Sequence, residues 1–213
     1  MKKISVLLFA AFVLSAFAFS TSVYADSPTL GPTGSGSSVS SNAGAIQLQP
    51  LSSFITSLPK RNAQQATGVY VPSVFAYKVM QQPGGMATYI SITRNTVTQF
   101  ALAAQYGTVG LLAHDYLSGA LFFNLAVGQE VDVVSGNGAV RSYRVSQIRR
   151  FQALNPYDPY SSFIDMDNRG AQLSSTDLFL QMYGGGNKVV FMTCIYANGS
   201  PAGGRLFVIA TPV

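Results

Sequence analysis

The sequence predicts an all-β protein, a closed barrel accompanied by one or two short helices. Three observations predict it. From Gly68 onward the apolar residues fall into short runs rich in β-branched and aromatic side chains, each bounded by turn residues. One junction, Ser135-Gly136-Asn137-Gly138, carries the Asn-Gly pair that favours a tight hairpin. Only two brief stretches show helical character, too little for a helical or alternating α/β fold.

In chain order, residues 51–58 form a short helix packed on the domain. Residues 69–77 and 87–93 read as strands, and 108–114 as a short buried run. Residues 130–134 and 140–148 are the arms of the hairpin. In the second arm Arg141, Tyr143 and Val145 alternate with Ser142, Arg144 and Ser146, which predicts a strand with one wetter face. Residues 155–172 read as a long loop around Pro156, Pro159 and Gly170. Its Asp165-Met166-Asp167-Asn168-Arg169-Gly170 segment lacks the later glutamate of a calcium loop, so an Asx-rich turn is expected and no metal site. Ser174-Ser175-Thr176-Asp177 starts a helix with a hydroxyl cap and an acid in its first turn, and Gly184-Gly185-Gly186 stops it. Two strands, 188–195 and 205–210, close the chain.

Composition places this barrel in a wider organisation. Of 213 residues, 48% are hydrophobic and 10% charged, enough apolar material for a substantial core. Residues 1–25 read as an export signal: Lys2 and Lys3, then an apolar run from Ile4 to Phe19, then Val23-Tyr24-Ala25 as a cleavage site before Asp26. An uncleaved anchor is the rival reading, but the run is short against the ~20 residues of a membrane span. Residues 26–66 form a Ser/Gly/Pro-rich linker and a transition. Residues 67–213 form the domain, and the protein is expected outside the cell or at its surface.

Without Lys2 and Lys3, 11 basic residues face 8 acids, a net +3. The one basic cluster, Arg141, Arg144, Arg149 and Arg150, reads as a solvated strand face, with an anionic wall polymer or membrane surface as the alternative. No aromatic–basic interleaving points to nucleic acid, and no cofactor is implied.

The chain has one cysteine, Cys194, and one histidine, His114, each at the end of an apolar strand-like run. With no partner in the chain, the thiol is buried and inert, bridged to another molecule, or reactive. Arg205 opens the last apolar run. Together the three supply what thiol acyl transfer requires: a nucleophile, a proton carrier for the amine, and a permanent positive charge for the oxyanion.

Several local patterns share an order with a known family. Leu112-Ala113-His114-Asp115 is followed by Ser118-Gly119-Ala120-Leu121-Phe122-Phe123. Gly128-Gln129-Glu130-Val131 leads into the hairpin, and Tyr143-Arg144-Val145 lies in its second arm. Val190-Phe191-Met192-Thr193-Cys194 and Gly204-Arg205-Leu206-Phe207-Val208-Ile209-Ala210 follow. From about Thr108 to the C-terminus this series resembles the sortases, the cysteine transpeptidases of bacterial surfaces; residues 68–107 match only as a strand-rich stretch, and no class is assigned.

The resemblance implies a sortase-like barrel that cleaves a sorting-signal peptide and holds it as a thioester on Cys194. It passes the acyl group to an amine acceptor, a wall peptide or a protein lysine. It also implies His114 as acid–base group and Arg205 as oxyanion donor. Thr193 would be a hydroxyl that holds substrate or orients Arg205, or simply a residue suited to a strand. Asp115 would face away from His114 if the strand continued, and makes a doubtful triad acid. The loop 196–203 would border the substrate groove; its Asn198-Gly199-Ser200 sequon reads as a turn. A hydrolase resolving the acyl-enzyme with water, and a non-catalytic barrel binding peptide or glycan, are the other readings. A cysteine L,D-transpeptidase would carry an arginine directly after the thiol, where this chain has Ile195.

Overall fold

A computed structural model describes residues 48–213 except 157, 159 and 169. The expected export segment, 1–25, and residues 26–47 of the expected linker lie outside the described residues. Among the described residues there are ten strands: β1 (Ala66–Val71), β2 (Phe75–Gln81), β3 (Thr96–Gln99), β4 (Val109–Leu112), β5 (Glu130–Ser135), β6 (Val140–Ala153), β7 (Phe163–Asp165), β8 (Gln172–Leu173), β9 (Val189–Ala197) and β10 (Ser200–Pro212). Eight of them follow the order β10-β9-β4-β3-β2-β1-β5-β6, and β6 pairs back onto β10 from Tyr143↔Pro212 to Gln152↔Gly204. The ring is therefore closed, as expected, which removes the exposed edges an open sheet would leave.

Helices are more numerous than the one or two expected. Among the described residues there are α1 (Leu51–Ser57), α2 (Ala101–Gln105), α3 (Ser175–Tyr183) and a 3₁₀ helix, Ser118–Asn124. The first and third match the expected helices. Ser174 caps α3 by accepting from the Asp177 N–H at 3.1 Å. α2 spans little more than one turn, too short to leave an apolar period.

The strand reading is corrected in four places. The run 69–77 is a hairpin rather than one strand, broken at Pro72 and Ser73, where Ser73 adopts φ 64°. Residues 87–93 form no strand. β2 and β3 lie parallel, so the chain must cross over between them, and residues 82–95 are that crossover. Its backbone is held by side chains: Gln82 donates to the carbonyls of Ala87 and Tyr89, and Ser91 N–H donates to the Thr98 hydroxyl. The true strand, β3, follows it. The stretch 155–172 is not wholly loop, since β7 and β8 extend the sheet from the end of β6. The β5–β6 turn bonds Ser135 N–H to the Ala139 carbonyl, and of its residues only Gly138 takes positive φ, 84°.

Two apolar clusters share the wall. Val69, Val71, Phe75, Val97, Leu111, Phe122, Phe191 and Val208 fill the barrel. Outside it, Leu178, Phe179, Met182 and Tyr183 of α3 cover Leu112, Val190, Met192, Phe207 and Ile209. Strand alternation assigns each residue to one cluster. α1 packs elsewhere, on the outer face of β1: the Phe54 ring lies 5.9 Å from that of Tyr70, and a Cβ on Gly68 would come within 2.9 Å of the Phe54 ring. In the arginine cluster, Arg149 pairs with Asp165 and Arg150 with Asp167 (2.5 Å), while Arg141 and Arg144 are exposed. Asp165 accepts the Asp167 N–H at 3.0 Å, the expected Asx turn.

Candidate active site

Two neighbouring strands bring Cys194 and Arg205 to one wall, and His114 follows the end of a third. β9 and β10 run antiparallel with Cys194 directly opposite Arg205. Directly opposed residues project to the same face, with Cβ atoms ~5 Å apart. The face is the outer one, because Met192 and Phe207, each two positions away, belong to the outer cluster. β4 lies parallel to β9 in the register Val109↔Val189 through Leu112↔Met192, and the Ala113 N–H continues it by donating to the Met192 carbonyl at 3.2 Å. Ala113 is tied to β9 a second time, its carbonyl accepting from the Thr193 hydroxyl, so the chain enters His114 from a residue fastened to the stretch of β9 just before Cys194. A parallel strand pair thus draws together segments 80 residues apart in sequence.

Each side chain has a distinct setting. Cys194 is partly exposed and free of any disulfide. Burial pushes its thiol above the ordinary 9.0; the Arg205 charge opposes this and the Asp115 charge adds to it. Burial likewise pushes the His114 imidazole below 6.5, against the Asp115 carboxylate and a backbone hydrogen bond with Ile90. Both shifts favour the uncharged couple, thiol and neutral imidazole. Arg205 is 3% exposed, and its Nη1 donates to the carbonyls of Ala202 (2.8 Å) and Gly204 (2.7 Å). A guanidinium carries five N–H donors, so these two bonds fix its position and use two of them.

Thr193 is not brought to the outer face. It projects inward with no exposed surface, and its hydroxyl donates to the Ala113 carbonyl at 2.9 Å. What it holds is the backbone that carries His114. Gly119 completes that anchorage: its N–H and that of Leu117 donate to the His114 carbonyl at 2.9 and 3.0 Å. A Cβ at Gly119 would press on the Thr193 hydroxyl and come within 2.6 Å of the same carbonyl.

Sequence reasoning sets Asp115 aside as facing away. The strand ends at Leu112 and a turn follows, so alternation does not apply, and the Asp115 charge acts on both His114 and Cys194. Sequence reasoning also passes over Ile90 and Tyr116. Tyr116 stacks on the His114 ring, with centroids 5.2 Å apart and planes 25° from parallel. Its position two residues after the only histidine is the available signal. The segment 196–203 is a tight hairpin in which Asn198 (φ 48°) and Gly199 (φ 75°) form the turn between paired Ala197 and Ser200. It carries Tyr196, 72% exposed, beyond Cys194 on the same strand face.

No protein-family model matches the chain, and no curated protein does. Among solved structures, the chain is similar to sortase A of Listeria monocytogenes at 10% identity, covering 70% of this chain and 87% of that one, with a TM-score of 0.42. It is also similar to sortase C of Clostridium perfringens SM101 (15% identity, 70% and 69% covered, TM-score 0.42). A third is sortase A of Corynebacterium diphtheriae (12% identity, 70% and 60% covered, TM-score 0.44). At these scores the likeness is loose, and the closed eight-stranded barrel rests on its own strand order and register. Sortases of both the A and C kinds are among the similar structures, so no class is singled out.

Proposed function

We propose that the protein is an exported cysteine transpeptidase acting at the cell surface. It cleaves a sorting-signal peptide and passes the acyl group to an amine, a wall peptide or a protein lysine. The observation that carries this reading is the direct cross-strand pairing of a partly exposed Cys194 with a buried Arg205, with His114 following Ala113, which is fastened to β9 at Met192 and Thr193.

The chemistry follows from the charge states. With the thiol raised and the imidazole lowered, the resting couple is uncharged, so His114 takes the thiol proton as Cys194 Sγ attacks the peptide carbonyl. The carbonyl oxygen gains the negative charge, and the fixed guanidinium of Arg205 stabilises it. The C–N bond breaks, His114 gives its proton to the departing amine, and a thioester remains on Cys194. An incoming amine then loses a proton to His114, attacks the thioester carbonyl, and the released sulfur recovers the proton. Thr193 serves this site through Ala113, by fixing the segment that carries His114.

The test is product analysis by mass. Sorting-signal peptides incubated with the protein give a covalent acyl adduct on Cys194. Added amine shifts the product from free acid to amide, and Cys194→Ala forms neither. Free acid alone at every amine concentration would make the protein a hydrolase. A Cys194→Ala variant with undiminished turnover would end the thiol reading altogether.

A further inference from the structure

His114 is held at three points, two through its backbone and one ring nitrogen, the third through its ring face. Its backbone is pinned by Thr193 through Ala113 and by the N–H groups of Leu117 and Gly119. The Ile90 backbone, on the crossover that precedes β3, faces the ring as a hydrogen-bond acceptor. The first contact fixes where the ring begins and the second favours one side of it. Neither packs against the ring face, so the last torsion, a broad one, stays only loosely restrained.

The third contact is the Tyr116 ring, stacked on the imidazole. Tyr116 is 67% exposed, so burial of its ring contributes little to folding. Its contact with His114 is what it has to offer. A flat aromatic face against a flat imidazole restricts the torsion left open by the other two contacts. A neutral imidazole has one N–H and one lone pair, and which nitrogen holds the proton is set by the hydrogen bond at the other. A carbonyl at Ile90 can only accept, which keeps the N–H on the nitrogen facing it.

We infer that Tyr116 is a positioning residue: its stacked ring holds the His114 imidazole in one orientation, in which a single tautomer is favoured and the second nitrogen is left as proton acceptor. This rests on His114 being the acid–base group of the proposed reaction. Of the charged and titratable groups, Asp115 acts on both His114 and Cys194, Tyr116 lies on the imidazole face, and Arg205 acts on Cys194 from β10.

Because the chain has one histidine, nitrogen NMR of the ¹⁵N-labelled full chain reads its tautomer without ambiguity. The wild type and Tyr116→Phe show a single tautomer at pH above the imidazole titration. Tyr116→Ala, and Tyr116→Leu as a variant that keeps bulk, show an averaged mixture. Turnover follows: kcat for peptide transfer falls about tenfold in the Ala and Leu variants, KM changes little, and Phe restores kcat. A single tautomer retained in Tyr116→Ala and Tyr116→Leu overturns the inference. So does a loss confined to KM, which would mark Tyr116 as a substrate contact. The NMR result is obtained without substrate, so it stands or falls separately from transfer activity; loss of the Cys194 acyl adduct concerns only the functional reading.

Discussion

The outer face of β9 changes character along its length. Val190 and Met192 lie beneath α3, sealed by Leu178, Phe179, Met182 and Tyr183, and are 0% and 3% exposed. Two residues further on, the same face presents Cys194, partly open, and then Tyr196 in water. Nothing in the strand itself changes; the backbone keeps its pairing with β10 through Cys194↔Arg205. What changes is the cover. The lesson is that a core strand opens to solvent where its covering layer stops, and the thiol stands at that boundary. Burial there still pushes the thiol pKa up.

Breaking each half separately gives the largest contrast. Cys194→Ala removes the nucleophile and lowers transfer by about a thousandfold or more, while thermal unfolding moves little. Met192→Ala empties part of the sealed half and costs about 2–5 kcal/mol, read by denaturant unfolding, with the thiol still able to form its acyl adduct in the folded fraction. Equal stability losses for the two variants would erase the distinction.

A smaller effect comes from the anchorage behind the open half. Gly119→Ala forces a methyl against the Thr193 hydroxyl and the His114 carbonyl, neither of which is the loose end of a long side chain. It should cost about 1–3 kcal/mol and lower kcat more than it raises KM, by displacing His114. Unchanged stability and kcat would show that the contact can relax.

The pH dependence sharpens the boundary further. Because burial raises the thiol above 9.0 and lowers the imidazole below 6.5, transfer holds a plateau between the two. It declines on the acid side as His114 protonates and can no longer accept the thiol proton. It declines on the alkaline side as the last proton of the couple is lost. Alkylation of Cys194 is slow at neutral pH and accelerates above 9.0, where the thiolate forms. The smallest effect is expected from Asp115→Asn. Removing that carboxylate lowers both pKa values: the imidazole loses a partner and the thiolate loses a repulsive neighbour. Alkylation at fixed pH therefore speeds up and the His114 NMR titration moves to lower pH. Movement in opposite directions would place Asp115 away from one of them.

Much of this wall is legible in the sequence. β9 and β10 contain continuous apolar runs, which is how strands buried on both faces read; Cys194 and Arg205 stand at the ends of those runs, and His114 just past the shorter run of β4. The crossover is not legible. Residues 87–93 have the composition of a strand, and only the parallel pairing of β2 with β3 shows that they must span rather than pair. β3 itself is four residues long and carries no period. The condition on which Asp115 would face away is not met, because the strand ends at Leu112, which no local signal marks. Thr193 is read there by its chemistry alone, whereas its inward face follows from its place between Met192 and Cys194.

The helix α1 has a consequence for how the barrel is presented. In the ring of eight strands β1 stands four places from β9 in either direction. The chain approaches the domain through Leu48 and Gln49, where the Gln49 carbonyl accepts from the Tyr70 hydroxyl on the outside of β1. The amino-terminal approach and the thiol therefore occupy opposite flanks of the barrel. A load pulling on the upstream chain would bear first on α1 and β1, and reach Cys194 only after crossing the whole width of the core.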